Sequence, residues 1–259
     1  MRDYSKEKEQ FERLLHIMDE LRERCPWDKK QTIESLRPLT IEETYELADA
    51  ILDKDYESIK KELGDILLHL VFYARIGREE GKFDMAESID SLCNKLIHRH
   101  PHIYGDTIVT NEEQVKENWE KLKLKEGNKS ILAGVPKSLP AMVKATRIQE
   151  KARAVGFDWD DKNQVWDKVN EELAEFKFEI DKESSKEKLE GELGDLFFSI
   201  INFARFLNLD PESALERTNK KFIHRFNFLE AESKKDGKEL SDMSLAEMDV
   251  YWERAKSQN

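Results

Sequence analysis

The stretch GELGDLFFSI at residues 191–200 places two acidic side chains, Glu192 and Asp195, at the start of an apolar run. The same four letters, ELGD, occupy residues 62–65 within KKELGDILLHLVFYARIG. Apolar residues in both runs recur every three or four positions and continue beyond the usual length of a β-strand, which predicts amphipathic helices. Each run therefore carries an acidic pair at the entrance of an apolar helix.

The two runs belong to a repeat that organises the whole chain. IEETYELADAIL (41–52) resembles NEELAEFKFEI (170–180), NKLIHR (94–99) resembles KKFIHR (220–225), and NWEKLK (118–123) resembles YWERAK (251–256). Between the copies, GNKSILAGVPKSLPAM is rich in Gly and Pro and is typical of a linker. We therefore predict an all-α protein of two tandem related helical domains, each built around an acidic helical hairpin. The predicted domains are 1–126 and 142–259, and the linker is 127–141.

The composition of the chain argues against nucleic-acid binding and against membrane contact. Of the 259 residues, 38% are charged, and the formal net charge is −12. Direct binding to nucleic acid is not expected, because phosphate backbones are bound by basic surfaces. The two cysteines, Cys25 and Cys93, are far apart, and the first residues contain no apolar signal core. The longest apolar stretch is too short to span a bilayer, so we expect a cytoplasmic protein without membrane contact.

The spacing of the acidic pairs predicts how each hairpin folds. Residues three apart share one face of a helix, so each acidic pair points in one direction. The second-copy pairs, Glu172 with Glu175 and Glu192 with Asp195, have their midpoint at residue 183.5, inside DKESSKEK. The first-copy pairs, Glu43 with Glu46 and Glu62 with Asp65, have theirs at residue 54, inside DKDYES. A hairpin folded at either point sets four carboxylates level with one another. Because Gly64 and Gly194 lie within these helices, a neighbour is expected to approach closely there.

Four carboxylates on a largely apolar face need compensation, because burying an unpaired charge is costly. Oxygen ligands favour Mg²⁺, with Mn²⁺ as a possible substitute, and we predict Glu172, Glu175, Glu192 and Asp195 as ligands. Lys168 and Lys188 each precede an acid by four residues and share its face. The first copy has Leu39 and Ser58 at these positions, so the second copy is the better candidate for a phosphate site. A basic pair, Lys221 and Arg225, follows on a later helix.

The pattern E-E-x-x-E, a gap, E-x-x-D and then a basic helix resembles the tandem MazG nucleoside triphosphate pyrophosphohydrolases. The stretches CPWDKKQTIESLRPLTIEETYELADAI, HRHPHIYGD and LPAMVKATRIQEKARAVGFDW are also similar to that family. The resemblance implies an all-α homodimer that uses Mg²⁺ to hydrolyse nucleoside triphosphates, of broad base specificity, to monophosphate and pyrophosphate. It implies nucleotide binding by Lys168, Glu172, Lys188, Leu189, Glu190, Gly191, Asp195, Lys221, Phe222, His224, Arg225 and Trp252.

Some alternatives stay open at the level of sequence. Glu171 is the first choice for orienting or deprotonating the attacking water, and Glu172 is its competitor. The chain is alternatively a hydrolase specific for deoxynucleotides on the same scaffold, or a non-catalytic acidic helical adaptor for a basic partner. Activity of the first copy is undecided, because its acids are intact and its lysines are missing. Asn202 either reads a base or satisfies a local backbone group, and we leave it out of the site.

Overall fold

The structure is a computed structural model that describes residues 2–111, 114–115, 118–119, 122 and 130–257. These residues contain ten α-helices, short 3₁₀ turns and no β-strand, which confirms the all-α class. The chain divides into two compact units, Met1–Thr110 and Asn111–Asn259. The predicted boundary at 126 lies outside the described residues, so the limits of the domains and linker stay a prediction. None of the described helices has the length and apolar character that crossing a membrane requires.

The first unit is built on a helical hairpin. Its helices are α1 (Ser5–Arg24), α2 (Ile33–Asp53), α3 (Tyr56–Glu79), α4 (Met85–Arg99) and α5 (Pro101–Tyr104). Helices α2 and α3 form the hairpin, and α1 packs along α3. The core between them contains Met18, Leu36 and Phe72, which are almost fully buried. Burial of these apolar faces stabilises the hairpin that carries the first set of acids.

The second unit repeats this hairpin. Its helices are α6 (Ala141–Arg153), α7 (Lys162–Asp181), α8 (Lys186–Phe206), α9 (Pro211–Lys235) and α10 (Leu245–Lys256). Helices α7 and α8 form the hairpin, α6 packs on α8, and α9 pairs with α10. Leu229, Met243 and Tyr251 form a buried cluster that joins α9 to α10. The hairpin that carries the acids and the α9–α10 pair, which carries the other predicted nucleotide-binding residues, therefore belong to the same compact unit.

Both hairpins turn where the acid spacing predicts. The second turn lies between Asp181 and Lys186, centred on the predicted midpoint, and the first lies between Asp53 and Tyr56. Each turn holds one non-glycine residue in the left-handed region, Lys54 at φ 56° and Glu183 at φ 53°. This shared and uncommon backbone conformation shows that the repeat extends to the geometry of the turn.

Candidate functional site

Three of the four predicted acids of the second copy converge. Glu172 on α7 and Glu192 and Asp195 on α8 each offer a carboxylate oxygen, and these oxygens lie within 4.8 Å of one another. Glu172 is buried, Glu192 is half-buried and Asp195 is exposed, so the group opens to solvent on one side. The predicted meeting of Glu172 with Asp195 across the hairpin is therefore confirmed.

Glu175, the fourth predicted acid, lies outside this group of three and is exposed. Its pKa is nevertheless raised, first by partial desolvation and then by the negative charges of Glu172 and Glu171. Glu192 also contributes to this shift. The negative charges of the group thus act on Glu175, but its carboxylate is not one of the three that converge. Its role as a metal ligand stays a prediction.

Lys168 lies against the acidic group, on the face that sequence spacing predicts. Its Nζ is 2.7 Å from Glu172 Oε1 and 2.8 Å from Glu171 Oε1. Hydrogen bonds to Glu171 and then to Glu172 raise the pKa of Lys168 far above its ordinary value, so this ammonium is charged at every physiological pH. Glu171 itself is exposed, and its carboxylate is fixed at the edge of the site by this lysine.

Lys188 does not contact the three carboxylates. Its Nζ lies 2.9 Å from Glu179 Oε1, and the other oxygen of Glu179 accepts a hydrogen bond from the Ser184 hydroxyl. The side chain of Glu179 is 7% exposed. Sequence reasoning missed Glu179, although one signal was available: it follows Glu172 by seven residues and therefore shares its helix face.

The α9 residues form a separate aromatic and basic group. The ring of Phe222 lies 5.0 Å from the ring of Trp252 on α10, centroid to centroid. Arg225 Nε is buried and has no hydrogen-bond partner in the described part of the chain. Among the described residues, Lys221, His224 and Arg225 make no ion pair with the three carboxylates. The grouping of this segment with the acids around one nucleotide stays a prediction.

The remaining predicted contacts surround the start of α8. Glu190 forms an ion pair of 3.4 Å with Lys186, and Leu189 is half-buried. A Cβ added at Gly191 or Gly194 would meet no described atom within 4 Å, and the same holds for Gly64. The expectation that a neighbour approaches Gly64 and Gly194 closely is therefore wrong for the described residues. These glycines instead leave open space beside the acids.

The first copy forms an equivalent acidic group from Glu43, Glu62 and Asp65, with carboxylate oxygens again within 4.8 Å of one another. Glu62 is 4% exposed, and its Oε2 has no hydrogen-bond partner in the described residues. Burial, followed by the charges of Asp65 and of the neighbouring glutamates, raises the pKa of Glu43. Lys61, which sequence reasoning missed, places its Nζ 2.9 Å from Glu62 and 3.7 Å from Asp65.

The positions of the missing lysines in the first copy have other structural uses. Leu39, which corresponds to Lys168, packs against the apolar core of the first unit. Ser58, which corresponds to Lys188, donates its hydroxyl to Asp55 at 2.8 Å within the cap of α3. The first hairpin thus lacks a cation four residues before Glu43 and four residues before Glu62.

The donor set of the second copy suits a hard divalent cation. All three convergent ligand atoms are carboxylate oxygens, which favour Mg²⁺ or Mn²⁺ and not zinc. Lys168 compensates only Glu172 of these three, so two further negative charges have no ion pair in the described residues. The residues present therefore fit a bound divalent cation with open coordination positions on the solvent side.

Known proteins match both copies. A family model described as the MazG nucleotide pyrophosphohydrolase domain matches residues 31–104 and 162–228. The chain is 47% identical over 251 residues to a nucleoside triphosphate pyrophosphohydrolase/pyrophosphatase MazG of Thermotoga maritima, with 95% of each chain covered. It is 40% identical over 257 residues to a nucleoside triphosphate pyrophosphohydrolase of Escherichia coli K12, with 96% of this chain and 98% of the relative covered. A solved structure of a mazG-related protein from Thermotoga maritima covers 44% of this chain and 98% of its own, at 27% identity and a TM-score of 0.40.

Proposed function

Because the chain belongs to the MazG family of nucleotide pyrophosphohydrolases, we propose that it is a Mg²⁺-dependent hydrolase of nucleoside triphosphates. Water attacks the α-phosphorus, and the products are the nucleoside monophosphate and pyrophosphate. Relatives named nucleoside triphosphate pyrophosphohydrolase cover nearly the whole chain and support this assignment. Base specificity is broad in this proposal, and the second copy is the working site.

The observation that carries the proposal is the convergence of Glu172, Glu192 and Asp195 beside a charged lysine. Three carboxylates within 4.8 Å repel one another unless a cation lies among them. Lys168 lies within this acidic surface, where it would repel a basic partner protein. A mixed group of acids and lysines suits a metal–triphosphate complex better than it suits an adaptor surface.

When Mg²⁺ or Mn²⁺ is bound, it supplies a Lewis acid that draws negative charge from phosphoryl oxygens. Glu172, Glu192 and Asp195 would hold the ion, with Glu175 as a fourth candidate. The protein's own cations neutralise the rest of the triphosphate, because ammonium and guanidinium groups form strong charge-assisted hydrogen bonds with phosphate oxygens. These cations are Lys168, Lys188, Lys221 and Arg225.

Glu171 is the proposed residue for orienting or deprotonating the attacking water. Its carboxylate is exposed, lies next to Glu172 in the chain and is held by Lys168 at 2.8 Å. A fixed, solvent-facing carboxylate at the edge of the acidic group has the access to water that a general base needs. Glu172, which is more buried and engaged by the same lysine, is the competing candidate.

We also propose that the protein is a homodimer. Several large apolar side chains on α7 and α8 are between 44% and 58% exposed, namely Leu173, Phe178, Phe197 and Ile200. We infer that these side chains form part of a continuous apolar patch, which on a helical unit is typical of an interaction surface. Light scattering coupled to size-exclusion chromatography measures the mass directly, and a monomer at micromolar concentration would contradict the proposal.

The decisive test pairs two equivalent substitutions, Glu172→Gln in the second copy and Glu43→Gln in the first. Purified protein is incubated with ATP and MgCl₂, and the nucleotide products are separated by ion-exchange chromatography. We expect AMP and pyrophosphate from the wild type, a loss of kcat of about a hundredfold or more in Glu172→Gln, and a much smaller change in Glu43→Gln. ADP as the product, activity in EDTA, or full activity of Glu172→Gln would refute the proposal. A parallel series of NTPs and dNTPs tests the deoxynucleotide-specific alternative.

A further inference from the structure

Glu179 is a buried carboxylate that the proposed chemistry does not use. Its side chain is 7% exposed, and both of its oxygens are engaged, one by Lys188 and the other by Ser184. The hydrogen bond from Ser184, followed by that from Lys188, lowers the pKa of Glu179, so the group is ionised at neutral pH. A buried ionised carboxylate with two dedicated partners is a costly arrangement for a helix to keep.

The repeat provides an internal comparison for this arrangement. The position of Glu179 is occupied in the first copy by Ala50, which is buried like Glu179, and the position of Lys188 is occupied by Ser58. The same hairpin therefore folds with alanine at this site. The acid is not required by the packing of the two helices, and it occurs in the copy that also has the lysine.

The Glu179–Lys188 pair lies on the acidic face, at the turn end of the hairpin. Glu179 follows Glu172 by seven residues and Lys188 precedes Asp195 by seven, so both residues share the face of the acids. At 1.5 Å per residue the pair lies about 10 Å along the helices from the level of Glu172. Lys168 contacts Glu172 directly. One cation, Lys168, therefore contacts the acidic group, and a second, Lys188, lies about two helical turns away on the same face.

We propose that Glu179 is a positioning residue for triphosphate binding, which it serves by holding the Lys188 ammonium at the end of the acidic face. An ammonium has three N–H donors, and the bond to Glu179 uses one of them. The other two donors face a phosphate oxygen when nucleotide is bound, and the lysine loses less conformational freedom because it is already held. This role rests on the proposed function, since Lys188 contacts the substrate only in that reaction.

A double-mutant cycle on the full chain tests this role, with KM for ATP, kcat and Mg²⁺ affinity as readouts. Glu179→Gln keeps the shape of the side chain and an oxygen for Ser184, and it removes the charge that holds Lys188. We expect its KM to rise about threefold to tenfold, the scale of ordering one long side chain, while kcat and Mg²⁺ binding in the absence of nucleotide stay unchanged. Lys188→Met should raise KM at least as much, and adding Glu179→Gln to it should have no further effect.

Lys186→Met is the matched control, because Lys186 is an exposed lysine in the same first turn of α8 and pairs with Glu190. Its KM should equal that of the wild type. An unchanged or lower KM in Glu179→Gln would overturn the positioning role. The positioning role would also be overturned if Glu179→Gln raised KM equally in the wild type and in the Lys188→Met background, because an effect that is independent of Lys188 indicates a structural role. A wild type that does not hydrolyse ATP would refute the proposed function and this role with it, whereas an active wild type with an unaffected variant would refute the role alone.

Discussion

Replacing Glu192 with glutamine is expected to stabilise the metal-free protein and to weaken its response to Mg²⁺. One oxygen of Glu192 lies within 4.8 Å of oxygens of both Glu172 and Asp195. Lys168 offsets the charge of Glu172, but Glu192 has no ion pair in the described part of the chain. In the absence of metal, Glu192 therefore adds repulsion without compensation, and its neutral isostere removes that repulsion.

The size of the effect follows from the geometry of the group. Two unit charges 4 Å apart interact by about 1 kcal/mol in water and by about 4 kcal/mol at an effective dielectric constant of 20. Because Asp195 is exposed, the water-like value is appropriate, and since Lys168 offsets Glu172, the substitution removes one uncompensated repulsion, that with Asp195, of about 1 kcal/mol. A change of that size raises Tm by roughly 2–4 °C in a unit of this size.

The assay is thermal unfolding followed by circular dichroism at low ionic strength, first in EDTA and then in MgCl₂. Mg²⁺ at a hundred times its Kd stabilises a binding-competent protein by about 2.7 kcal/mol. The wild type should gain this stabilisation and Glu192→Gln should gain much less of it, so the order of the two Tm values should reverse. Glu190→Gln is the control, because Glu190 is exposed and already paired with Lys186, and its Tm in EDTA should not rise. A lower Tm of Glu192→Gln in EDTA, or an equal response of both proteins to Mg²⁺, would show that these carboxylates do not share an ion.

Substituting Glu62 with glutamine should leave kcat unchanged, since the first hairpin lacks both lysines; steady-state ATP hydrolysis measures this. Asp158→Asn should destabilise the second unit by about 3 kcal/mol in urea unfolding, because the buried Arg205 donates to Asp158 at 2.6 Å. The raised pKa of Glu175 means that this carboxyl is protonated at a higher pH than usual, so, with Glu175 as a ligand, Mg²⁺ affinity in isothermal titration calorimetry should begin to fall at a higher pH than an ordinary glutamate ligand would give. Because the pKa of Glu175 is higher in the folded protein than in the unfolded chain, this group stabilises the metal-free fold at low pH, and the stabilisation is lost as pH rises through the raised pKa.

The hairpins could be predicted from the sequence because helix geometry ties spacing to position. Once the apolar period indicates two helices, acids three residues apart share a face, and their midpoint fixes the turn. This reasoning gave the turns at residues 54 and 183.5 and the convergence of Glu172 with Asp195. The helical period is a property of the backbone, and it therefore survives differences in side-chain detail between the two copies.

The choice of partners within the site could not be predicted in the same way. Lys188 lies on the predicted face but binds Glu179, because several carboxylates share that face and rotamers decide which one the flexible lysine reaches. Asn202 accepts a hydrogen bond from the Arg205 side chain at 3.0 Å, a partner that neither sequence-based alternative named. The close approach predicted at Gly64 and Gly194 was wrong for a related reason. A glycine allows a neighbour to come close, but the sequence does not show whether a neighbour is there.

The two copies compensate their equivalent acids in different ways, and this difference supports the proposal that the second copy is the working site. In the first copy, Lys61 lies across Glu62 and Asp65, so part of the negative charge is already offset by the chain itself. In the second copy the corresponding position is Gly191, where a side chain would meet open space, and the lysines stand at 168 and 188 instead. In the second copy Lys168 pairs with Glu172 alone of the three convergent acids, which leaves Glu192 and Asp195 without an ion pair in the described residues and open to a metal ion. We therefore propose that intact acids alone do not make the first copy equivalent to the second, because the placement of the cations decides which carboxylates have no ion pair and can bind a metal ion.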